Sequence, residues 1–297
     1  MTTEFRAGFV SFVGRPNVGK STLTNALVGQ KIAITSPKPQ TTRRAIRGIV
    51  HRQSGQLIIV DTPGIHRPRK LLGKRLNALV ESTLGEVDVI AQCFPAGEKI
   101  GPGDKFIYDQ VQRFTQAKKI AIITKIDETN PNTVIERLAE VDALGDWEAV
   151  IPTSAVAGTQ VDELADLLIE QMPLSSQLYE ETHLTDESQD DRIAELIREA
   201  AIYGAREELP HSLAATVDDY EEDEETGKLR IYASLIVERD SQKGIVIGRG
   251  GQQLKNIGQA ARKQIEQLLG RKVYLSLRVK VLKEWQSDPK HLNRLGF

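Results

Sequence analysis

Short apolar runs alternate with stretches whose apolar residues recur three and four positions apart over residues 5–172. The runs at 9–13, 45–50, 57–60, 87–93, 119–124 and 148–151 predict strands. Leu23, Leu27 and Val28 share one helix face, and so do Leu71, Leu72, Leu76, Leu79 and Val80. Further helices are predicted at 104–114, 134–141 and 161–172. Strands alternating with helices predict an α/β fold with a doubly wound sheet. Strands 45–50 and 57–60, joined through Gln53-Ser54-Gly55-Gln56, read as a hairpin within it.

Beyond residue 172 the pattern changes. Residues 173–190 are polar, acidic and without period, and predict a linker. Ile193, Leu196, Ile197, Ala200 and Ala201 then line one helix face. Strands follow at 213–217 and 229–237, then a helix, a glycine turn, a long helix to 269 and a strand at 273–281. That order predicts a separate α+β domain over 191–284, with 285–297 as a C-terminal tail. Between the first two strands lies an acidic run, Glu221 to Glu225, expected to be a solvated hairpin end.

The first strand runs into Gly14-Arg15-Pro16-Asn17-Val18-Gly19-Lys20-Ser21, and Thr22 continues into the first helix. Strand, glycine loop and helix in this order are the context of a phosphate-binding loop. Gly14 and Gly19 let backbone N–H groups face phosphate, and the helix N-terminus adds donors and a favourable dipole. Lys20 is expected to reach the β- and γ-phosphates, and Ser21 to ligate Mg²⁺. The loop Ser36-Pro37-Lys38-Pro39-Gln40-Thr41-Thr42-Arg43-Arg44 has too few apolar residues for an element. It is expected to be a switch whose threonine ligates Mg²⁺, Thr42 before Thr41.

The strand at 57–60 delivers Asp61-Thr62-Pro63-Gly64. An acid there holds Mg²⁺ through water, and Gly64 can offer its N–H to the γ-phosphate. Ile65 follows, where Ras-type enzymes carry a water-orienting glutamine. Water must therefore be positioned by backbone, by a cation or by a partner. The strand at 119–124 ends in Thr124-Lys125-Ile126-Asp127. The Asp127 carboxylate can accept both the N1–H and the amino group of guanine, which adenine cannot supply. The Lys125 stem is expected along the base. The turn Thr153-Ser154-Ala155 can offer a backbone N–H, best from Ala155, to guanine O6. Ser21, Thr42 and Asp61 are the expected metal set. Lys20, Thr42, Gly64 and Asn17 are the residues expected to serve hydrolysis.

In the second half Ile247-Gly248-Arg249-Gly250-Gly251 is an I-G-x-x-G turn flanked by Val246, Ile247, Leu254 and Ile257 at helix spacing. This is the pattern of a KH module, whose G-x-x-G loop clamps the backbone of about four nucleotides. The order of elements matches the type II form. Ile247, Gly248, Arg249, Gly250, Gly251 and Lys255 are the expected RNA contacts. Net charge over 297 residues is −2, so RNA affinity rests on this locally basic stretch. Cys93, the single cysteine, rules out an internal disulfide framework and suits a reducing compartment. No run approaches the ~18 apolar residues of a membrane span, which points to a soluble, intracellular protein.

With G-R-P-N-V-G-K-S, P-K-P-Q-T-T-R, D-T-P-G, T-K-I-D and a C-terminal I-G-x-x-G in one chain, the sequence resembles the Era-like GTPases. The likeness covers nearly the whole chain. It implies a Mg²⁺-dependent ribosome-assembly GTPase that cycles between GTP and GDP at a slow intrinsic rate. It further implies binding to the 3′ end of 16S rRNA and the 30S subunit, a cytoplasmic monomer, and peripheral association with the inner face of the cell membrane. The family's guanine motif begins with Asn, whereas Thr124 stands here. Asn17 occupies the position where related GTPases ligate K⁺. A second reading stays open, a nucleotide-gated RNA-binding scaffold in which hydrolysis is incidental.

Overall fold

The computed structural model describes residues 4–297 apart from 37, 39–40, 65–69, 205–208 and 224–226. Ile65 and parts of the switch and acidic runs (Pro37, Pro39, Gln40, Glu224, Glu225) lie outside the described residues. The chain forms two compact units. One holds the described residues up to Asp186 except Ser36, Lys38, Thr41 and 70–72; those and 187–297 make the other.

The first unit contains β1 (Arg6–Val13), α1 (Lys20–Val28), β2 (Ile46–Arg52), β3 (Gly55–Asp61), the body of α2 (Leu71–Glu86), β4 (Val89–Pro95), α3 (Pro102–Val111), β5 (Lys118–Thr124), α4 (Pro131–Asp142), β6 (Ala149–Pro152) and α5 (Val161–Glu170). The strand order is β2-β3-β1-β4-β5-β6, with only β2 and β3 antiparallel. The central strands are buried along most of their length because helices cover both faces. Leu23, Leu27, Leu164 and Leu168 pack on Phe12, Ile59, Ala91 and Ile122 on one side. Val80, Leu84, Ile107 and Val111 pack on Val13, Val60 and Ile90 on the other. Loops following β1, β3, β5 and β6 therefore gather at one sheet edge, at the point where strand order reverses beside β1.

Residues 173–186, expected to be linker, run along the edge of this sheet. Leu174 bridges to Arg6 and Thr185 to Gly48. The buried Gln56 side chain accepts from the N–H groups of Leu178 and Tyr179 (both 2.9 Å) and donates to the Tyr179 carbonyl (2.8 Å). Backbone pairing and one buried amide hold the strap, which explains why no apolar period marks it.

The second unit comprises α6 (Gln189–Tyr203), α7 (Leu209–Ser212), β7 (Ala214–Glu222), β8 (Leu229–Val237), α8 (Asp240–Ile247), α9 (Gln252–Leu269), β9 (Val273–Val281) and α10 (Pro289–Arg294). Its sheet, β7-β8-β9, pairs β7 antiparallel and β9 parallel to β8. A parallel neighbour needs a crossover, and α8–α9 supply it. Ile193, Ile197, Ile257, Ala261 and Ile265 close the core over Ile231, Ala233, Leu235 and Val273.

The expectation of a tail over 285–297 is corrected. Trp285 is fully buried, donates from Nε1 to the Ser212 carbonyl (3.2 Å) and stacks on Phe297 at 5.8 Å. Leu292 within α10 and Leu295 at its C-terminal end are buried. Four apolar side chains spread over thirteen positions are enough to fold the segment back, although too few to show a period.

Candidate nucleotide pocket and nucleic-acid loop

The turn after β1 takes positive φ at Gly14 (153°), Asn17 (64°) and Gly19 (102°), and α1 begins at Lys20. A Cβ at Gly14 would lie 2.9 Å from the Cys93 carbonyl oxygen, so the turn fits only without a side chain there. Lys20 Nζ donates to the Gly14 and Arg15 carbonyls, both at 3.0 Å, inside the loop. Burial lowers the pKa of this ammonium. Val18 is buried in the core and holds the loop's far side, while Pro16 and Asn17 are exposed. The Arg15 side chain turns away from the loop. Its Nε donates to Asp104 Oδ1 (2.8 Å) and Nη2 to Glu98 Oε2 (2.9 Å). Only its backbone can serve a phosphate in this arrangement.

Three expected oxygens meet at the start of α1. Ser21 Oγ donates to Asp61 Oδ2 at 2.8 Å. Thr42 Oγ1 lies 3.2 Å from Ser21 Oγ and 3.3 Å from Asp61 Oδ2. Thr41, the alternative, instead donates its hydroxyl to the Lys38 carbonyl (2.8 Å). Asp61 is fully buried, and its Oδ1 has no hydrogen-bond partner among the described residues. Burial raises the pKa of this carboxyl. A buried acceptor left unpaired costs on the order of 1–3 kcal/mol, and a hydrated cation is a partner that would remove the cost. No cluster of three or more His, Cys, Asp or Glu among the described residues can hold a metal. A cation here would rely on these hydroxyls, this carboxylate and phosphate oxygens, a donor set that suits Mg²⁺.

At the base end, Thr124 Oγ1 donates to the Val18 carbonyl at 2.6 Å and lies 3.3 Å from the Phe94 carbonyl. The hydroxyl thereby ties the loop after β5 to the loop after β1. Lys125 adopts positive φ (59°), and its Nζ lies 3.5 Å from Glu128. Asp127 is exposed, and its Oδ1 accepts from the Ser154 hydroxyl at 2.5 Å. Ser154 Oγ also accepts from the Ala157 N–H (2.9 Å). The turn after β6 therefore orients the aspartate. Thr62 Oγ1 lies 3.5 Å from Ser11 Oγ, and nothing lies within 4 Å of a Cβ built on Gly64. Thr22 and Ala155 are half-buried at the same sheet edge.

Cys93, the strand residue beside this loop, is fully buried, and burial pushes its thiol up to about 12. It is a structural thiol, as the sequence indicates. Sequence reasoning missed the Arg15 clamp, the Thr124 tie and the buried Gln56. The departure of Thr124 from Asn was the one visible signal among them.

In the second unit Gly248, Gly250 and Gly251 all take positive φ (72°, 57° and 77°) between α8 and α9. At Gly248 a Cβ would come within 2.6 Å of Gln253 Cβ. Val246 and Ile257 anchor the turn in the core, Ile247 packs at its edge, and Arg249, Gly250 and Lys255 are exposed. The turn offers backbone, a helix N-terminus and two cations to an anionic chain.

Comparisons with known proteins agree with this geometry. The family described as 50S ribosome-binding GTPase matches residues 9–125, and the KH domain family matches 208–286. The chain is 57% identical to GTPase Era of Mycolicibacterium smegmatis over 99% of its own length and all of the relative's. It is 55% identical to GTPase Era of Streptomyces coelicolor over 99% of this chain and 96% of that one. A variant of Aquifex aeolicus Era solved with GDP and aluminium fluoride superposes with a TM-score of 0.93 at 36% identity, covering 98% of this chain and 99% of the other. Era solved with MgGDPNP and nucleotides 1506–1542 of 16S ribosomal RNA matches with the same score, identity and coverage. Two units, one with a guanine-nucleotide pocket and one with a KH turn, and full-length relatives together show that this chain belongs to the Era family of GTPases.

Proposed function

We propose that the protein is a ribosome-assembly factor that binds the 3′ end of 16S rRNA on the 30S subunit and hydrolyses GTP as it does so. The meeting of Ser21, Thr42 and Asp61 at the head of α1 carries the GTPase part. The loop 14–19 wraps the phosphates with backbone N–H groups, and Lys20 exchanges its carbonyl partners for phosphate oxygens. Thr42 senses the γ-phosphate from the switch, and Gly64 approaches the same group from the other side. Asp127, held by Ser154, reads guanine, Ala155 offers its N–H to O6, and the Lys125 stem covers the base. When bound, Mg²⁺ neutralises the charge spread over the β- and γ-phosphates. K⁺ beside Asn17 is the further cation we assign to this pocket. With Ile65 following Gly64 there is no glutamine side chain for the attacking water, which would be held by backbone N–H groups, by a cation at Asn17 or by a residue of the partner RNA complex. Arg249, Lys255 and the glycine turn grip RNA backbone.

Steady-state GTP turnover tests the reading. Turnover should rise when RNA carrying the 16S 3′ end is added, and should be faster in K⁺ than in Na⁺ at matched ionic strength. Turnover indifferent to RNA would leave hydrolysis incidental and favour the scaffold reading. Equal rates in the two salts would remove K⁺ and the role of Asn17.

A further inference from the structure

We infer that Asp104, in the first turn of α3, is a positioning residue for the phosphate-binding loop of the same unit. It acts through the Arg15 guanidinium to hold the loop in the shape that receives a β-phosphate, a role that rests on reading 14–19 as that loop. Asp104 stands outside every nucleotide motif of the chain, yet it is 1% exposed. Its Oδ1 accepts from Arg15 Nε at 2.8 Å, and its Oδ2 accepts from the Gly101 N–H at 2.9 Å. Its backbone carbonyl accepts from the side chain of Gln92, buried in β4, at 2.9 Å. Strand, turn and helix therefore fix the carboxylate before it meets the loop.

Both ends of Arg15 are held. Its carbonyl accepts from Lys20 Nζ, and its guanidinium ends on Asp104 and Glu98. Its stem lies on Gly103, where a Cβ would come within 3.0 Å of Arg15 Cδ. With backbone and side chain both tied, the peptide units around Arg15 have little freedom to rotate. That matters because the loop takes positive φ on either side, at Gly14 and at the non-glycine Asn17. Such backbone persists only where its surroundings over-determine it. The two carboxylates are unequal anchors. Glu98 is 59% exposed, so water screens its pairing, whereas Asp104 meets the guanidinium out of water. A loop held in shape before the nucleotide arrives spends less binding free energy on ordering. The gain goes to ligands that carry a β-phosphate, GDP and GTP alike, and not to GMP, which ends at the α-phosphate. A carboxylate that merely capped α3 would change stability and leave the ranking of nucleotides alone.

The test measures binding of GMP, GDP and a non-hydrolysable GTP analogue to the full chain with Mg²⁺, by competition against a fluorescent GDP. In Asp104→Asn one amide oxygen faces two donors, Arg15 Nε and the Gly101 N–H, so one contact is lost in either orientation. GDP and the analogue should each bind about tenfold more weakly, the lower end of the worth of a charge-assisted hydrogen bond. GMP should stay within about twofold of wild type. Arg15→Met should act in the same way, and Arg15→Lys, which keeps a donor for Asp104, should lose less. Arg15→Met combined with Asp104→Asn should be no weaker than the weaker single variant, because both act through one contact. Glu98→Gln should leave all three affinities within about twofold. Should Asp104→Asn fail to fold, Arg15→Met and Arg15→Lys decide the matter by the same comparison of GDP with GMP. Equal weakening of GMP and GDP, no weakening of either, or losses that multiply in the double variant would overturn the positioning role. If wild type binds GMP as tightly as GDP, the loop reading falls and this inference with it.

Discussion

Replacing Asp127 with Asn changes the side chain we assign to the guanine edge, and its contact with Ser154 indicates how the new amide would sit. Asp127 Oδ1 accepts from the Ser154 hydroxyl at 2.5 Å, and Ser154 is itself fixed by the Ala157 N–H. In Asp127→Asn the amide oxygen keeps that donor, so its NH₂ group turns to the base. Guanine N1–H and N2 then meet a donor instead of a carboxylate. Loss of a charge-assisted pair costs on the order of 1.5–3 kcal/mol, or about 10- to 150-fold in affinity. Xanthine carries an oxygen at position 2, which accepts from the amide, so xanthosine triphosphate should gain. Competition titrations with GTP, ATP and xanthosine triphosphate read both changes. Ser154→Ala in the Asp127→Asn background should blunt the gain, because nothing then orients the amide. Equal binding of ATP and GTP by wild type, or equal loss of GTP and xanthosine triphosphate in Asp127→Asn, would refute the reasoning.

Other sites give shorter predictions. Thr124→Val removes the donor to the Val18 carbonyl inside a buried site and should lower unfolding free energy by about 1–3 kcal/mol in denaturant titrations. Thr124→Asn restores a donor and should keep GTP-over-ATP selectivity in nucleotide competition. Burial pushes the Cys93 thiol up to about 12, so it stays protonated at pH 8 where an ordinary thiol is partly thiolate. Mass spectrometry should find it unmodified by iodoacetamide until the chain is unfolded. Arg249→Asp with Gly250→Asp sets two carboxylates against phosphate and should abolish RNA binding in titrations at fixed salt, with GTP affinity unchanged.

Most of the fold can be read along the chain, for identifiable reasons. β3 and β5 carry unbroken apolar runs, Leu57–Val60 and Ile120–Ile123, because helices cover both sheet faces, and the phosphate, acid and guanine motifs stand at the C-terminal ends of β1, β3 and β5, with the switch between α1 and β2. The glycine turn at 248–251 is equally legible, since positive φ recurs there at three residues. What escapes reading is held by single polar contacts between distant positions. The strap over 173–186 depends on Gln56, and Arg198 meets Thr41 across 157 positions. Arg15 reads as a phosphate ligand until Asp104 and Glu98 are seen to hold it. Trp285 and Phe297 are too far apart in sequence to signal that the C-terminal segment folds back.

With a guanine-nucleotide pocket and a KH turn in one chain, RNA binding should answer to the bound nucleotide. RNA affinity decides it most directly, measured at one salt concentration with GDP and with a non-hydrolysable GTP analogue, for wild type and for Thr42→Ala. Wild type should bind RNA carrying the 16S 3′ end more tightly in one nucleotide state than in the other. Thr42→Ala should bind it equally in both, because a nucleotide shifts RNA affinity only through states it binds differently. Wild-type affinity that is the same with either nucleotide would contradict the account.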